Sequence, residues 1–554
     1  MSGAKLGVIN PDEKLFSSAE KRRTGKFWDL SKKKENEVYA AHNESPMYKS
    51  VLCTDIEKGH CHGTLFRFNF RKELSKLSKT VYTHKKIIEL FDSFKQEGHL
   101  ALIFMKNLEK IEFYVREKGQ HDAKLVRSFS VEASSLPDLR RKKREFMQQL
   151  KTRNNQSCFS QELIFEASIS TKETNTMETT VFDYSVIHYY AGNALADENN
   201  LIKAEEANEL GFIPLVGMAY PKERDLHTGG HIFCALPLPL LGTATTGLPV
   251  HVNGFFALGP DRKDLKWSSL SAECSDKQIL WNQFLISIVL PVAYLKLFCQ
   301  LKLTGLSTDK VYGSFPDTRV VDVKWKQLAI SFYNRLLDID CVWTNAETGK
   351  WIPVSEAYLE YDFEYELRQS VGAEIVFNCL IKGGVRIASL PDHVENAFKE
   401  HFFKGKGILT ASRVRLYLQK YPRLINGLGI EQKILLLSCL LSSPEDITEL
   451  FNVPLLPLED GSFTSPCSPT SLAMIYITTS DHTKDLLPWL ESRLLRTDID
   501  QQVMKIFLAV AKKGESVSMA LHYMPACLLL TMATMGFPVF HILFLTITIS
   551  ISRN

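Results

Sequence analysis

The sequence predicts an α+β protein with more than one domain. Its 554 residues are enough for two to four domains, each with its own core. Residues 158–265 are rich in segments with the composition and alternation of strands, and a strongly apolar helix follows at 279–301. Beyond Gly305, helical spacing of apolar residues dominates. A sheet-rich part followed by a helical part is therefore expected.

The composition is that of an ordinary soluble protein, with 45% apolar and 23% charged residues. The net charge of +3 is small for this length, so no nucleic-acid partner is expected. The 11 cysteines are an odd number and include no Cys-x-x-Cys pair, which indicates reduced thiols and a cytoplasmic location. The N-terminus has no apolar core of signal-peptide length.

The first elements are predicted between residues 6 and 115. A short strand covers residues 6–9, and Gly63–Phe70 is a strand with phenylalanine at every second position of its second half. Thr83 is the expected N-cap of a helix. Residues 100–105 are predicted to form a buried strand that pairs with the alternating segment 111–115.

A basic run, Arg140–Arg144, leaves two interpretations open. It has the composition of a nuclear-import signal. It also fits a solvated helix end, because Phe146 and Leu150 continue a helical stripe.

The stretch His231–Leu258 predicts two strands of a buried hairpin. Pro237 and Pro239 should end pairing after the first strand, since proline cannot donate to a ladder. Asn253-Gly254 indicates a turn or a bulge within the second strand. A purely structural hairpin is one interpretation, and a partner site near its dense glycines and prolines is the other.

The remaining elements follow in order. The apolar helix at 279–301 contains Pro291 and is predicted to be a kinked core helix. Residues 325–337 predict a further helix. Two similar turn-and-strand units, 347–355 and 459–466, flank helical stretches and predict scaffolding without chemistry.

Several motifs along the chain resemble the sacsin repeat region, over about residues 5–510, and those of the central stretch are specific. They are His62–Phe68, Val81–Thr83, Leu90–Phe94, Leu102–Leu108, Gly229–Leu240, Thr246–Phe256, Leu390–Val394 and Leu455–Phe463. In that family the repeat begins with an ATP-binding sandwich similar to that of the ninety-kilodalton heat-shock chaperone and the gyrases.

The resemblance implies a vestigial nucleotide site. Gly63 and Thr64 match the Gly-Thr pair that lies beside the nucleotide in that fold. Only 62 residues precede them, and these contain neither the acidic helix with its magnesium-binding Asn nor the Asp-x-Gly motif. The resemblance therefore implies the C-terminal half of an ATPase-like domain, no bound cofactor and no enzyme activity.

Other candidate chemistry is weak. The carboxylates that alternate with aromatics in Glu360–Glu366 could be a general-acid and general-base pair on one strand face, or simply a solvated face. His60-Cys61-His62 cannot converge on one metal ion from adjacent positions in a strand. His231 and His251 are interpreted as core or edge histidines. Walker, dinucleotide and nucleophile-elbow motifs are absent from the sequence.

The sequence thus predicts four parts. Residues 1–150 are the ATPase-like remnant, 151–305 an α+β domain with the central hairpin, 306–515 a mainly helical region with two short hairpins, and 516–554 an apolar tail. The tail at 526–545 is long enough for a membrane anchor, although a non-native ending is the alternative.

The function predicted from the resemblance is a non-catalytic chaperone-related scaffold. Its partners would be client proteins or the heat-shock machinery, including the seventy-kilodalton heat-shock protein. The alternatives are a fragment of a chaperone-type ATPase completed by another chain, and a protein anchored in a membrane by its C-terminal tail.

Overall fold

A computed structural model gives the fold of most of the chain between residues 81 and 512. Apart from a few single residues, it describes residues 5–9, 25–29, 81–116, 123–132, 136–152, 159–192, 204–223, 229–238, 245–267, 276–344, 349–401, 408–441, 447–466, 475–477, 488–512 and 521–523. The chain forms two compact units, Met1–Phe332 and Tyr333–Asn554.

The first unit is an α+β structure, as the sequence predicts. Its described strands are β1 (Lys5–Ile9), β2 (Gly25–Asp29), β3 (Lys110–Val115), β4 (Lys124–Val131), β5 (Ser160–Glu173), β6 (Thr179–Ala191), β7 (Leu215–Pro221), β8 (Ile232–Cys234), β9 (Leu236–Pro237) and β10 (His251–Gly254). The described helices up to and across the boundary are α1 (His84–Glu97), α2 (Leu100–Ile103), α3 (Leu136–Thr152), α4 (Ala204–Leu210), α5 (Lys277–Phe284), α6 (Leu290–Leu301), α7 (Thr308–Tyr312) and α8 (Lys326–Leu336).

Eight of these strands form one sheet in the order β3-β4-β5-β6-β7-β10-β8-β9. Its neighbours are antiparallel except β8 and β10, which are parallel. Strands from both sides of the boundary predicted at residue 150 share this sheet. The four-part division of the chain remains a prediction.

The predicted hairpin of His231–Leu258 is wrong in topology. β8 and β10 lie side by side but run in the same direction, with Val252 opposite Ile232. Parallel neighbours need a long connection, and here the chain first returns through β9, in which Pro237 pairs with Phe233. Pro237 therefore does not end pairing. Asn253-Gly254 forms neither turn nor bulge, because it completes β10 in unbroken register with β7.

The strand predicted at 100–105 is also wrong. The structure has the short helix α2 there, and all four of its residues are buried. A short apolar run without polar alternation cannot distinguish a strand from a buried helix. The segment 111–115 lies in β3 as predicted, but its partner is β4, which the sequence analysis did not identify.

Alternate residues of the strands point to two differently covered faces. The α3 face, which carries His188 of β6, is covered by α2 and α3. The α6 face, which carries Ile187, packs against α6. The predicted core helix at 279–301 is confirmed as α5 and α6, joined by a π-helical turn at Leu285–Val289.

Proline explains that irregular turn. Pro291 lies in the first turn of α6, where its missing N–H and its ring prevent a regular hydrogen bond to the preceding turn. The helical segment Lys277–Leu301 is long and apolar enough to cross a membrane, and 61% of its most apolar stretch is buried inside the protein. Its packing against β6 and β7 is that of a core helix.

The second unit is mainly helical with short hairpins, as predicted for this part of the chain. Its described strands are β11 (Asp340–Trp343), β12 (Trp351–Pro353), β13 (Leu456–Pro457), β14 (Phe463–Thr464), β15 (Ile475–Ile477) and β16 (Leu521–Tyr523). Its described α-helices are α9 (Tyr365–Gln369), α10 (Ala373–Lys382), α11 (Asp392–His401), α12 (Ala411–Lys420), α13 (Ile430–Leu440) and α14 (Gln501–Lys512). β11–β12 and β13–β14 are the two predicted hairpins.

Candidate functional site: a buried histidine cluster

The predicted nucleotide-pocket edge lies outside the described residues. This holds for Gly63 and Thr64, for the three adjacent candidates His60, Cys61 and His62, and for the apolar tail at 526–545. The described residues instead bring three histidines together, at the start of β8, in β10 and in the turn before α2.

The histidine cluster consists of His99, His231 and His251, and His188 lies apart from it on the same face of the sheet. His188 lies in β6 and His251 in β10, while His231 immediately precedes β8 and His99 immediately precedes α2. These histidines are far apart in sequence. The parallel pairing of β8 with β10 brings His231 and His251 side by side.

His231 and His251 form the centre of the cluster. Their ring centroids are 5.2 Å apart, and the backbone N–H of His231 donates to Nδ1 of His251 at 3.1 Å. Neutral His251 must therefore carry its proton on Nε2. Nδ1 of His231 is buried and has no hydrogen-bond partner. Nδ1 of His251 is thus hydrogen-bonded, whereas Nδ1 of His231 is not.

Aromatic rings complete the surroundings of the cluster. The ring of His99 stacks on Phe182 with centroids 3.9 Å apart and an interplanar angle of 9°. Tyr184 lies 5.9 Å from His251 between centroids, and Phe233 lies at the same distance on an edge-to-face geometry. These contacts keep the imidazoles in an apolar environment.

That environment makes the imidazoles hard to protonate. Burial, reinforced by His231, lowers the pKa of His99 to about 4. Burial, with the nearby His231 and His99, lowers the pKa of His251 to about 3. Burial also lowers the pKa of His231. The cluster is consequently uncharged at neutral pH and would gain charge only in acid.

His188 faces a lysine across the α3 face. Lys143 of α3 donates to the backbone oxygen of Met105 at 3.0 Å, and its Nζ lies 5.0 Å from the ring centroid of Phe165. Burial lowers the pKa of Lys143 to about 8. Burial and the charge of Lys143 lower the pKa of His188 to about 3. An ammonium group thus shares a largely apolar region with a neutral imidazole.

The basic run that contains Lys143 lies within α3 and not at a helix end. Arg140 forms a bidentate pair with Glu109, and both Arg141 and Lys142 pair with Asp138. These cations are largely neutralised within the protein, which does not favour a freely presented import signal. The prediction of a helical stripe through the run is confirmed.

Two glycines allow the close backbone approach that positions the central pair. A Cβ on Gly230 would lie 1.8 Å from the backbone oxygen of Val250, and one on Gly247 would lie 2.5 Å from that of Val320. Gly247 also has a φ of 71°, a conformation that favours glycine. The glycines of this stretch predict either a structural role or a partner site, and at Gly247 the surface approached is the protein's own backbone.

The chemistry available at the cluster is limited to weak acid–base exchange. Elsewhere, in β8, burial raises the pKa of the Cys234 thiol to about 11, so a thiolate nucleophile is disfavoured at neutral pH. Within the described part of the chain, no group of three or more His, Cys, Asp or Glu side chains has a geometry suited to a metal ion. The properties of the histidine cluster are those of an uncharged, polar, aromatic core.

The carboxylates of Glu360–Glu366 do not form an acid–base pair on a strand. The 3-10 turn Glu360–Asp362 begins this segment, and buried Asp362 accepts from the backbone N–H of Leu359 at 2.8 Å. Glu364 accepts from the backbone N–H of Ala411, at the start of α12, at 2.9 Å. The carboxylates cap separate backbone segments, so the alternative of a merely solvated face is also wrong for Asp362.

His251 is buried and His231 is half-buried, which agrees with their prediction as core or edge histidines. The sequence analysis did not associate them with His99, His188 or Lys143. These three residues carry no shared motif, and their proximity arises from strand order and from α2, whose helical state was not predicted.

Comparison with known proteins confirms the resemblance. Residues 1–128 match the family model described as "Sacsin domain". The chain is 29% identical to Sacsin of Homo sapiens over 531 residues, which are 89% of this chain and 11% of the human protein. The chain therefore spans about a tenth of the length of that relative. No solved structure gives a significant match. The protein is sacsin-like in sequence.

Proposed function

We propose that this sacsin-like chain is a non-catalytic scaffold that assists protein folding or quality control by binding other proteins. The observation that carries the proposal is the similarity to Sacsin along 89% of the chain. The proposal includes a cytoplasmic location and contact with non-native clients or with heat-shock proteins, among them the seventy-kilodalton one.

The chemistry of the histidine cluster supports a role without catalysis. A general base works best with a pKa near the operating pH, whereas burial lowers the pKa of His251 to about 3. The thiol of Cys234 in β8 is held protonated at neutral pH. Such groups suit packing and hydrogen bonding better than proton transfer or nucleophilic attack.

Exposed apolar side chains on the second unit support protein binding. Single exposed apolar residues are normal on any surface, and six large ones lie between residues 365 and 430 of the second unit. They are Tyr365, Val371, Ile408, Leu416, Tyr421 and Ile430. Large apolar groups of this kind can hold exposed apolar segments of a non-native protein.

The test is suppression of aggregation by the purified chain without nucleotide. A heat-labile client such as citrate synthase would be warmed with increasing amounts of the chain, and light scattering would be followed. We expect scattering to fall in a dose-dependent way and to be unchanged by added ATP and magnesium. Unaltered client aggregation at a tenfold excess of the chain would refute the proposal.

A matched pair of variants locates the holding surface. Val371→Asp with Ile430→Asp places charge at exposed apolar positions of the second unit, and Val320→Asp with Val323→Asp does the same at exposed positions of the first unit. We expect the first pair alone to reduce holding. Equal loss in both pairs would indicate a nonspecific effect of added charge.

A second candidate function is an ATPase whose missing half is supplied by another chain. It is favoured by the Sacsin domain match over residues 1–128, which include Gly63 and Thr64. Isothermal titration calorimetry with ATP and magnesium would distinguish the two. Magnesium-dependent binding that Thr64→Val abolishes would support the ATPase and contradict the scaffold proposal. A third candidate, anchoring through residues 526–545, predicts membrane association that resists carbonate.

A further inference from the structure

On one side of its first half, β5 has no strand partner among the residues that the structure describes. β5 pairs with β6 along its whole length, from Ser160 to Lys172. On its other side, β4 pairs only with Ile169–Glu173. In the described part of the chain, no strand lies beside Ser160–Ala167 on the β4 side. The half-strand Ser160–Ala167 is the β5 edge.

The β5 edge presents backbone groups outward at a regular spacing. The backbone N–H of Glu132 donates to the oxygen of Ser168 at 2.9 Å, so the backbone groups of Ser168 point towards the β4 side. The β5–β6 register is unbroken, and strand residues alternate in direction. The N–H and C=O groups of Glu162, Ile164 and Glu166 therefore point outward as well.

The other residues of this half-strand are firmly held. Leu163, Phe165 and Ala167 are buried in the core beneath α3. The alternate side chains, Glu162 and Glu166, are exposed. The edge is thus a rigid, preformed template with only its backbone and its second face available. Such an edge pairs with an added extended segment.

The charges on the β5 edge determine which extended segments can pair with it favourably. Glu162 and Glu166 flank the partly buried Ile164 on one face. Glu162 pairs with Lys296, and Glu166 pairs with Lys222 and accepts from the hydroxyl of Ser185. The side chains of Glu162 and Glu166 nevertheless remain 43% and 44% exposed. Opposite charges across neighbouring strands stabilise pairing, and like charges oppose it.

A second copy of the chain fits this edge poorly. If two β5 edges paired antiparallel about Ile164, Glu162 of each copy would face Glu166 of the other. Both cross-strand contacts would then join like charges, which is destabilising. A segment with basic residues at those two positions has the complementary charge.

We propose that the β5 edge binds an extended client segment by strand addition, and that it prefers an apolar residue with a basic residue two positions away on each side. This deepens the proposed holding function and rests on it. The backbone bonds would accept many sequences, while the two glutamates would supply the preference.

The test uses two synthetic peptides, Thr-Lys-Val-Leu-Val-Lys-Thr and Thr-Glu-Val-Leu-Val-Glu-Thr, with the full chain. Fluorescence anisotropy should show about tenfold tighter binding of the lysine peptide, the effect of two cross-strand charge pairs. Amide hydrogen exchange should slow at Glu162, Ile164 and Glu166 when that peptide is present. Equal affinities, or exchange at these amides that is already slow in the free chain, would overturn the proposal.

Two variants address the edge directly. Ile164→Pro removes an outward N–H that the β5–β6 ladder does not use, so the fold should persist while binding falls at least tenfold. Glu162→Lys with Glu166→Lys should reverse the peptide preference even if Ile164→Pro does not fold. An unchanged preference in that double variant would refute strand addition at this edge.

The outcomes separate this inference from the proposed function. A chain that suppresses client aggregation but shows no peptide-dependent protection at Ile164 would retain the scaffold function and lose the β5 edge as its site. A chain that binds the lysine peptide but never suppresses aggregation would lose the scaffold function. Dimers in sedimentation with a protected β5 edge would make a second copy the occupant and refute the client segment.

Discussion

The two faces of the eight-stranded sheet come from alternate residues of the same strands, yet they differ in chemistry. On the α6 face, Ile187, Met218 and Val252 are fully buried and wholly apolar. On the α3 face, the chain neighbour of Ile187 is His188, which stacks on Phe165, and that of Val252 is His251, which stacks on His231. The period-two alternation of strands makes this possible, because each face can change without altering the other.

The difference shows that the stability of one sheet can have a pH-independent part and a pH-dependent part. Burial of apolar surface on the α6 face does not involve protons. Burial of neutral imidazoles on the α3 face is favourable only while they remain neutral. Substitutions that act on one face alone should separate the pH-independent part of the stability from the pH-dependent part.

Gly230→Ala should be the most damaging single change to the α3 face. The new Cβ would lie 1.8 Å from the backbone oxygen of Val250, and neither backbone segment can move away easily. The N–H of Gly230 donates to the oxygen of Leu248 at 2.7 Å. We expect a loss of about 4 kcal/mol in the free energy of unfolding, measured by urea denaturation.

A matched control is Gly259→Ala, because its Cβ would have its nearest contact at 3.6 Å, an ordinary distance. That variant should lie within about 1 kcal/mol of the original protein. Similar losses in both variants would mean that the approach of β8 to the 246–250 segment is not the constraint that positions His231.

Ile187→Ala should be the clearest test of the α6 face. Ile187 is fully buried in β6. Replacement of a buried isoleucine by alanine removes transfer free energy and leaves a cavity, at a cost of about 3 kcal/mol. The loss should be the same at pH 7 and pH 5. A loss that grows in acid would show that protons act on this face too.

The sequence could predict the α6 face far better than the α3 face. A long apolar helix with a proline is a local signal, and α5 and α6 were expected within a few residues. In β7 six consecutive residues, Leu215 to Tyr220, are buried, as expected for a short apolar run that is covered on both faces. Faces covered by apolar residues are thus encoded in short stretches.

The α3 face depends on long-range arrangement. The parallel pairing of β8 with β10 and the helical state of α2 bring His99, His231 and His251 together, and neither could be deduced from the neighbouring residues. A glycine-and-proline-rich connection looks the same whether it closes a hairpin or leads through β9 to a parallel neighbour. The hairpin prediction failed for that reason.

His99→Phe should reduce the acid sensitivity of the protein. In the folded state burial lowers the pKa of His99 to about 4, below its ordinary value of 6.5. The unfolded chain therefore binds protons first, so stability is complete above pH 6.5 and is lost as the pH falls towards 4. The stacking on Phe182 can persist with a phenyl ring.

Urea denaturation between pH 7 and pH 4 measures this effect. The original protein should lose roughly 3 kcal/mol more than His99→Phe at pH 4. His84→Phe, at the exposed start of α1, is the control and should keep the full pH dependence. Parallel pH curves for the original protein and His99→Phe would show that this imidazole does not contribute to acid sensitivity.

The smallest effects are expected for the surface ion pairs that join α3 and α6 to the rest of the first unit. Arg140 of α3 pairs with Glu109, and Lys296 of α6 pairs with Glu162 at 2.5 Å. The hydrogen bond from Arg140 lowers the pKa of Glu109, so that pair should weaken only in acid. Because exposed pairs are screened, Arg140→Met and Lys296→Met should each cost less than about 1 kcal/mol, and less still in high salt. A larger loss in Arg140→Met alone would mean that α3 is held on its face by charge, whereas α6 is held by apolar packing.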